Sequence, residues 1–160
     1  SMQSEYEEKI HSAVELIANS DVAVFFGIGT SGLVAAYASR QFSNLGQSTF
    51  HIQDSYYPFH LISRQYTNTV AIVCSVSGET EIMLRKVGDL KSLGSKIISI
   101  TNSSTNSLAR LSDINLAYHL TPEYVDEEVN VTSQLPAVFL IETLARRNYN
   151  YMQQMHNNKL

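Results

Sequence analysis

Hydroxyl side chains cluster beside glycine at two places where an apolar run gives way to a helix-like stretch: Gly27-Ile28-Gly29-Thr30-Ser31-Gly32 and Ser75-Val76-Ser77-Gly78-Glu79-Thr80. Such loops suit one kind of chemistry. The first N–H groups of a helix have no partner inside it, and hydroxyls add donors that can rotate toward an acceptor, so together they bind an anion with several oxygens. Phosphate is the obvious anion. Neither loop contains Lys or Arg, so its charge would be met by N–H groups, helix ends and hydroxyls alone, as fits a small monophosphate held with modest affinity. Two plainer explanations stand beside this one. The glycines can simply allow tight strand-to-helix turns, and the spacing of Ser77 and Thr80 would let them do no more than cap a helix.

The first loop also matches the Gly-x-Gly-x-x-Gly pattern of dinucleotide sites, with Asp54 about where a ribose-binding carboxylate belongs. A dinucleotide site has no use for the second loop, so a bound NAD is the weakest reading and no cofactor is expected. For acid-base chemistry the candidates are Glu127 and Glu128 before the last helix, and the histidines His51, His60 and His119. Each has a structural explanation. Glu127 and Glu128 continue an acidic run from Asp126 that reads as a solvated turn. His60 lies in the aromatic stretch Tyr56-Tyr57-Pro58-Phe59-His60, His51 alternates with strand neighbours, and His119 ends a strand-like run. No pair stands at a spacing that demands catalysis, and no metal site is expected.

The elements that carry these loops are legible from periodicity. Short apolar, β-branched runs at Val22 to Phe26, Ser48 to Ile52, Val70 to Cys74, Lys96 to Ile100 and Ile114 to Ala117 read as strands buried on both faces. Helical spacing marks Ser4 to Asn19, Ser31 to Leu45, Thr80 to Leu93, a short turn at Ser107 to Leu111, and a long final helix from about Ser133 to Tyr151. Alternation of this kind predicts an α/β fold: a three-layer α/β/α sandwich around a five-stranded parallel sheet of flavodoxin-like order 2-1-3-4-5. In such a sheet the strand order reverses between strands one and three, and ligands bind in the crevice at their carboxyl ends. Both loops emerge there. The final helix carries more apolar surface than one sheet face uses, which predicts a homodimer or higher oligomer.

Composition narrows the function class. At 160 residues, with 44% hydrophobic and 16% charged residues, residues 1–160 read as one globular domain with no linker or repeat. The longest apolar runs fall well short of the ~18 residues of a membrane span. A net charge of −4 with scattered Lys and Arg gives no basic footprint for nucleic acid. The lone Cys74 and the absence of a secretory opening lead to the expectation of a cytoplasmic location. Ser1-Met2 reads as the remnant of a cleaved tag.

With its two loops in this order, the chain resembles the sugar isomerase (SIS) domain over about Glu7 to Tyr151. The resemblance implies phosphosugar contacts from Gly29, Thr30 and Ser31, and from Ser75, Val76 through its backbone, Ser77 and Thr80. Val131, Thr132 and Ser133 would approach the sugar where the chain enters the last helix, and Thr101-Asn102 is a looser match. The run of residues looks most like the effector domain of RpiR-type transcriptional regulators, in which a helix-turn-helix domain, absent from this sequence, precedes the SIS domain. The expected function is thus a phosphosugar sensor that does not itself touch DNA. A free-standing sugar-phosphate isomerase is the runner-up.

Overall fold

A computed structural model describes residues 1–159 of the chain. Five strands form a parallel sheet in the order β2-β1-β3-β4-β5: β1 Val22–Phe26, β2 Thr49–Ile52, β3 Thr69–Cys74, β4 Lys96–Thr101 and β5 Ile114–Ala117. The expected order is present. Every residue of β1 and β3 is buried. Such strands carry helices on both faces, which explains why they read as continuous apolar runs rather than alternating ones.

Alternate strand residues feed two separate cores. On one face Ala23, Phe25, Val70, Ile72, Ile98, Ile100 and Leu116 pack beneath α1 (Met2–Ala18), α2 (Thr30–Asn44) and α6 (Leu135–Lys159). On the other, Val22, Val24, Phe26, Ala71, Val73 and Ile97 pack with Ile62 of α3 (Ile62–Gln65), Met83, Val87 and Leu90 of α4 (Glu81–Ser92), and Leu108 of α5 (Ser107–Leu111). Aromatic pairs fill both layers: Phe25 on Phe42 at 5.1 Å, and Phe26 on Phe59 at 4.9 Å between ring centres. Phe25, Phe26 and Phe42 are each 0–1% exposed. Burial of that completeness stabilises by about 1.5–3 kcal/mol per large apolar side chain.

The last helix lies along α2 and α1, and its pairings show that all three run in the same direction. Ser31 reaches Gln134 and Tyr37 reaches Glu142, while on α1 Glu7 meets Arg147 at 2.7 Å and His11 lies against Tyr151 at 6.3 Å between ring centres. This helix is longer than the apolar pattern suggested, continuing past Tyr151 to Lys159. A second departure is the antiparallel hairpin of β6 (Tyr124–Val125) and β7 (Val129–Asn130). Its turn is the acidic run: Asp126 and Glu127 both take positive φ, 53° and 59°, and the Glu128 N–H donates to the Val125 carbonyl at 3.1 Å. Two successive left-handed residues match the twist of a hairpin.

Candidate functional site

A cavity of about 220 Å³ opens where the carboxyl ends of β1 and β3 meet, lined by Ile28, Thr30, Ser31, Ser75, Val76, Ser77, Thr80, Met83, Asn130 and Gln134. It is smaller than the roughly 300–1,000 Å³ of pockets for drug-sized ligands, a volume suited to a phosphate and the atoms attached to it.

The first loop turns hard to deliver α2 into this cavity. A Cβ on Gly27 would overlap the Ser31 carbonyl group, so the close approach of helix to strand requires glycine. Gly29 occupies the N-cap position of α2 with φ of 63°, and no side chain caps that end. The Gly32 and Leu33 N–H groups turn back to the Gly29 carbonyl at 2.9 and 3.4 Å, which leaves those of Thr30 and Ser31 to whatever occupies the cavity. Ser31, only 9% exposed, sends its hydroxyl toward Gln134 Oε1 at 3.4 Å. That is long for an O–H···O bond and therefore weak.

The second loop is held more firmly. The Gly78 N–H donates to Ser75 Oγ at 3.0 Å and the Glu79 N–H to Ser77 Oγ at 3.1 Å. In each case the hydroxyl oxygen accepts, which leaves its own proton for another acceptor. Thr80 is the N-cap of α4, yet its side chain makes no capping bond. Helix capping by Thr80 therefore does not account for its hydroxyl. Gly78 has φ of 69°, and a Cβ there would overlap the Asn106 side chain. Asn106 is 4% exposed and caps α5 by accepting from the Ala109 N–H at 2.8 Å. Glu79 accepts from the backbone and hydroxyl of Ser107, and these bonds hold its carboxyl below the usual carboxylate range. The loop is thus braced against α5.

Among the described residues, those lining the cavity include no Asp, Glu, His, Lys or Arg. Glu127 and Glu128 are exposed at the hairpin turn, and His60 is exposed in the 3-10 turn Phe59–Leu61. His51 faces outward on β2, and His119 follows β5 with φ of 56°. Asp54 accepts from the Tyr56 N–H at 2.8 Å, which makes it a turn residue. Asn102 donates its N–H to the Val76 carbonyl at 3.0 Å and commits its side-chain amide to both backbone groups of Leu120; it positions the second loop.

The segment entering α6 reaches the cavity, but through different residues from those the resemblance implied. Val131, Thr132 and Ser133 do not line it; Asn130 and Gln134 do. Thr132, 5% exposed, ties the foot of the hairpin by donating to Asn130 Oδ1 and accepting from the Glu123 N–H. Ser133 Oγ accepts from the Leu135 N–H. Nothing in the local sequence marks Asn130 or Gln134. They reach the cavity because α6 packs along α2, and that is a tertiary fact. A larger opening of about 640 Å³ lies between α1, α5 and β5, and no residue of either loop lines it.

Among the described residues no group of three His, Cys, Asp or Glu side chains is placed to hold a metal ion, and no helix is long and apolar enough to cross a membrane.

Known proteins resemble this chain in sequence and in fold. A regulator of Clostridium perfringens named as HTH-type is 33% identical over 81% of this chain and 46% of its own length. Arabinose 5-phosphate isomerase KpsF of Escherichia coli is 34% identical over 62% of this chain and 32% of its own. The chain spans about half the length of the HTH-type regulators it matches, 46% and 49% in two cases. The sugar isomerase domain of an RpiR transcription factor from Sphaerobacter thermophilus superposes with a TM-score of 0.74 at 18% identity, covering 94% of this chain and 86% of that one. The Vibrio vulnificus NanR protein, complexed with ManNAc-6P, superposes at 0.72 and 18% identity, covering 95% and 56%. At such identities the two structures establish the fold alone. The SIS domain family model matches residues 16–145, which takes in both hydroxyl loops, all five strands of the sheet and most of the helices, and the chain therefore belongs to the SIS domain family.

Proposed function

We propose that this chain is the phosphosugar-sensing domain of an RpiR-type transcriptional regulator and that the cavity between the two loops holds the phosphate. The observation that carries this reading is the uncapped start of α2 and the unbonded Thr80 hydroxyl at the start of α4, both opening on one cavity. Two helix N-termini supply unpaired N–H groups and partial positive charge, and Thr30, Ser31, Ser75, Ser77 and Thr80 supply hydroxyl donors. Asn130 and Gln134 face the same space with amides that can bond sugar hydroxyls. The similarity to a regulator named as HTH-type supports the sensing role. In the whole protein, occupancy of this cavity would set the DNA affinity of a helix-turn-helix domain.

The similarity to an arabinose 5-phosphate isomerase favours a second reading, catalysis on a sugar phosphate. Isomerisation requires a general base within hydrogen-bond reach of the sugar carbons. The described lining offers hydroxyls and amides, so the base would come from outside it.

One experiment separates the readings. The chain is titrated calorimetrically with N-acetylmannosamine 6-phosphate and arabinose 5-phosphate, each against its free sugar, and the bound mixtures are followed by NMR in deuterated water. A sensor binds the phosphates, ignores the free sugars and leaves the C1 and C2 positions unexchanged. Steady exchange at those carbons would make the chain an isomerase, and equal binding of free sugar and phosphate would remove the phosphate site.

A further inference from the structure

We propose that the cavity recognises the head group of its ligand by oxygen acceptors rather than by charge, and so takes sulfate monoesters of sugars as a second class of ligand beside the phosphates, a proposal that rests on the phosphate reading of the same site.

The two esters share a tetrahedral head with three terminal oxygens. They differ in charge and in proton: a phosphate monoester has a second pKa of about 6 and is a dianion at neutral pH, whereas a sulfate monoester carries one charge and no proton. Sites built on Lys or Arg favour the dianion through charge-assisted bonds. Here, among the described residues, no Lys, Arg or His lines the cavity. Its positive charge comes from the starts of α2 and α4, each equivalent to roughly half an elementary charge. Together they balance a single negative charge. The second charge of a phosphate is left uncompensated in a chain of net charge −4, and a sulfate ester loses little by lacking it.

What the walls supply is hydrogen. Ser31 and Ser75 are 9% and 5% exposed, so their hydroxyls, which line the cavity, are shielded from bulk water. Ser75 Oγ and Ser77 Oγ each accept a backbone N–H, at 3.0 and 3.1 Å, and keep a proton to donate. Asn130 Oδ1 accepts both the N–H and the hydroxyl of Thr132, at 3.1 and 2.6 Å, which leaves its amide N–H groups for a ligand. Gln134 Oε1 faces the Ser31 hydroxyl at 3.4 Å. An oxygen without a proton thus meets donors on every side. A protonated phosphate oxygen meets a free acceptor only where Thr30 or Thr80 turns its own proton away or Gln134 releases Ser31, so protonation should cost affinity even though it brings the charge into balance. Among the described residues no titrating side chain of the protein stands in the cavity, and none of the chain's five histidines lines it. Hydrogen bonds from Ser107 hold the Glu79 carboxyl below the usual carboxylate range, and burial pushes the Cys74 thiol up to about 12. Glu81 and, around the hairpin, Glu123, Asp126, Glu127 and Glu128 are exposed outside the cavity. Arg40 on α2, Arg85 and Lys86 on α4, and Glu142 on α6 stand more than a turn beyond their helix starts.

Calorimetric titration with N-acetylmannosamine 6-phosphate and arabinose 5-phosphate, each beside the sulfate ester of the same sugar, at pH 7.5 and pH 5.0 tests this. At pH 7.5 each sulfate should bind within about tenfold of its phosphate. Between pH 7.5 and pH 5.0 the phosphate should weaken about tenfold, because only about a tenth of it remains a dianion, while the sulfate holds its affinity. Titration of a protein group would move both esters alike. Ser77→Ala should weaken both by about tenfold or more, as expected if they share one cavity. Thr30→Lys, a cation at the exposed start of α2, should widen the preference for phosphate at pH 7.5 by about tenfold, since charge then counts. A sulfate more than about tenfold weaker than a phosphate that binds overturns the proposal and leaves the phosphate site standing. So does a phosphate whose affinity is unchanged at pH 5.0, or a sulfate that weakens with it. If neither ester of either sugar binds, the phosphate site itself is wrong and the proposal falls with it.

Discussion

Ser77 and Thr80 sit three residues apart in the second loop but are held differently, and that difference separates binding from stability. The Ser77 oxygen accepts the Glu79 N–H, whereas the Thr80 side chain has no bond at its helix end. A hydrogen bond to a charged oxygen contributes roughly 1.5–3 kcal/mol, so removing either hydroxyl should weaken sugar-phosphate binding by about one to two orders of magnitude. If the hydroxyls meet the phosphate and not the sugar, as proposed above, the loss should be similar for every sugar phosphate that binds. In ligand-free melting curves Thr80→Ala should match the parent, because no cap is lost, and Ser77→Ala should fall slightly below it. If titration finds both variants binding as tightly as the parent, the cavity is not the phosphate site. Val76 lines the same cavity; if it serves the proposed site through its backbone alone, its replacement by Ala should change affinity little.

At the scale of elements, Gly78 couples the second loop to α5, and Gly78→Ala tests that coupling. The new methyl would have to displace Asn106 and sit at φ of 69°, two costs that each run to about 1–3 kcal/mol. The variant should melt well below the parent and bind sugar phosphate poorly even where it is folded. An unchanged melting temperature would mean that Asn106 moves aside freely. The same scale explains what could be read from the sequence. The strands of the parallel sheet were legible because burial on both faces writes them as unbroken apolar runs, as in Val22 to Phe26. The hairpin was not legible. Its strands are two residues each and wholly exposed, so no alternation betrays them, and Asp126–Glu128 reads as any solvated acidic turn would. The end of α6 was hidden for a related reason: beyond Met152 its residues are almost all polar, so helix continues where the apolar stripe has faded. Of the cavity, the loop residues came from motif, while Asn130 and Gln134 came only from the packing of α6 on α2.

The molecule as a whole should be sensitive to alkali. Burial pushes the Cys74 thiol from 9.0 up to about 12 and, with Cys74 nearby, the Tyr118 phenol from 10.0 up to about 12. A group whose pKa is raised by folding keeps its proton in the native state while the unfolded chain releases it, so its contribution is complete below the unfolded value and is lost as pH climbs toward the folded one. Denaturant midpoints should therefore hold steady to about pH 9 and fall from there toward about pH 12. Cys74→Ala should flatten the first part of that fall; a slope identical to the parent's would mean the thiol is not the sensor. The contrast between the central strands and the hairpin reaches further, into time. The amides of β1 and β3 lie in the middle of the sheet, hydrogen-bonded on both sides, and exchange with solvent deuterium only when the whole domain opens, whereas an exposed hairpin exchanges by local fraying. The cavity's two loops thus hang from strands that should open only with the whole domain, whereas its edge at Asn130 belongs to a hairpin that should open cheaply. A ligand touching both would slow exchange at the hairpin by orders of magnitude while leaving the exchange route of the β-sheet unchanged, so its arrival would be recorded first at the cavity's loosest residue.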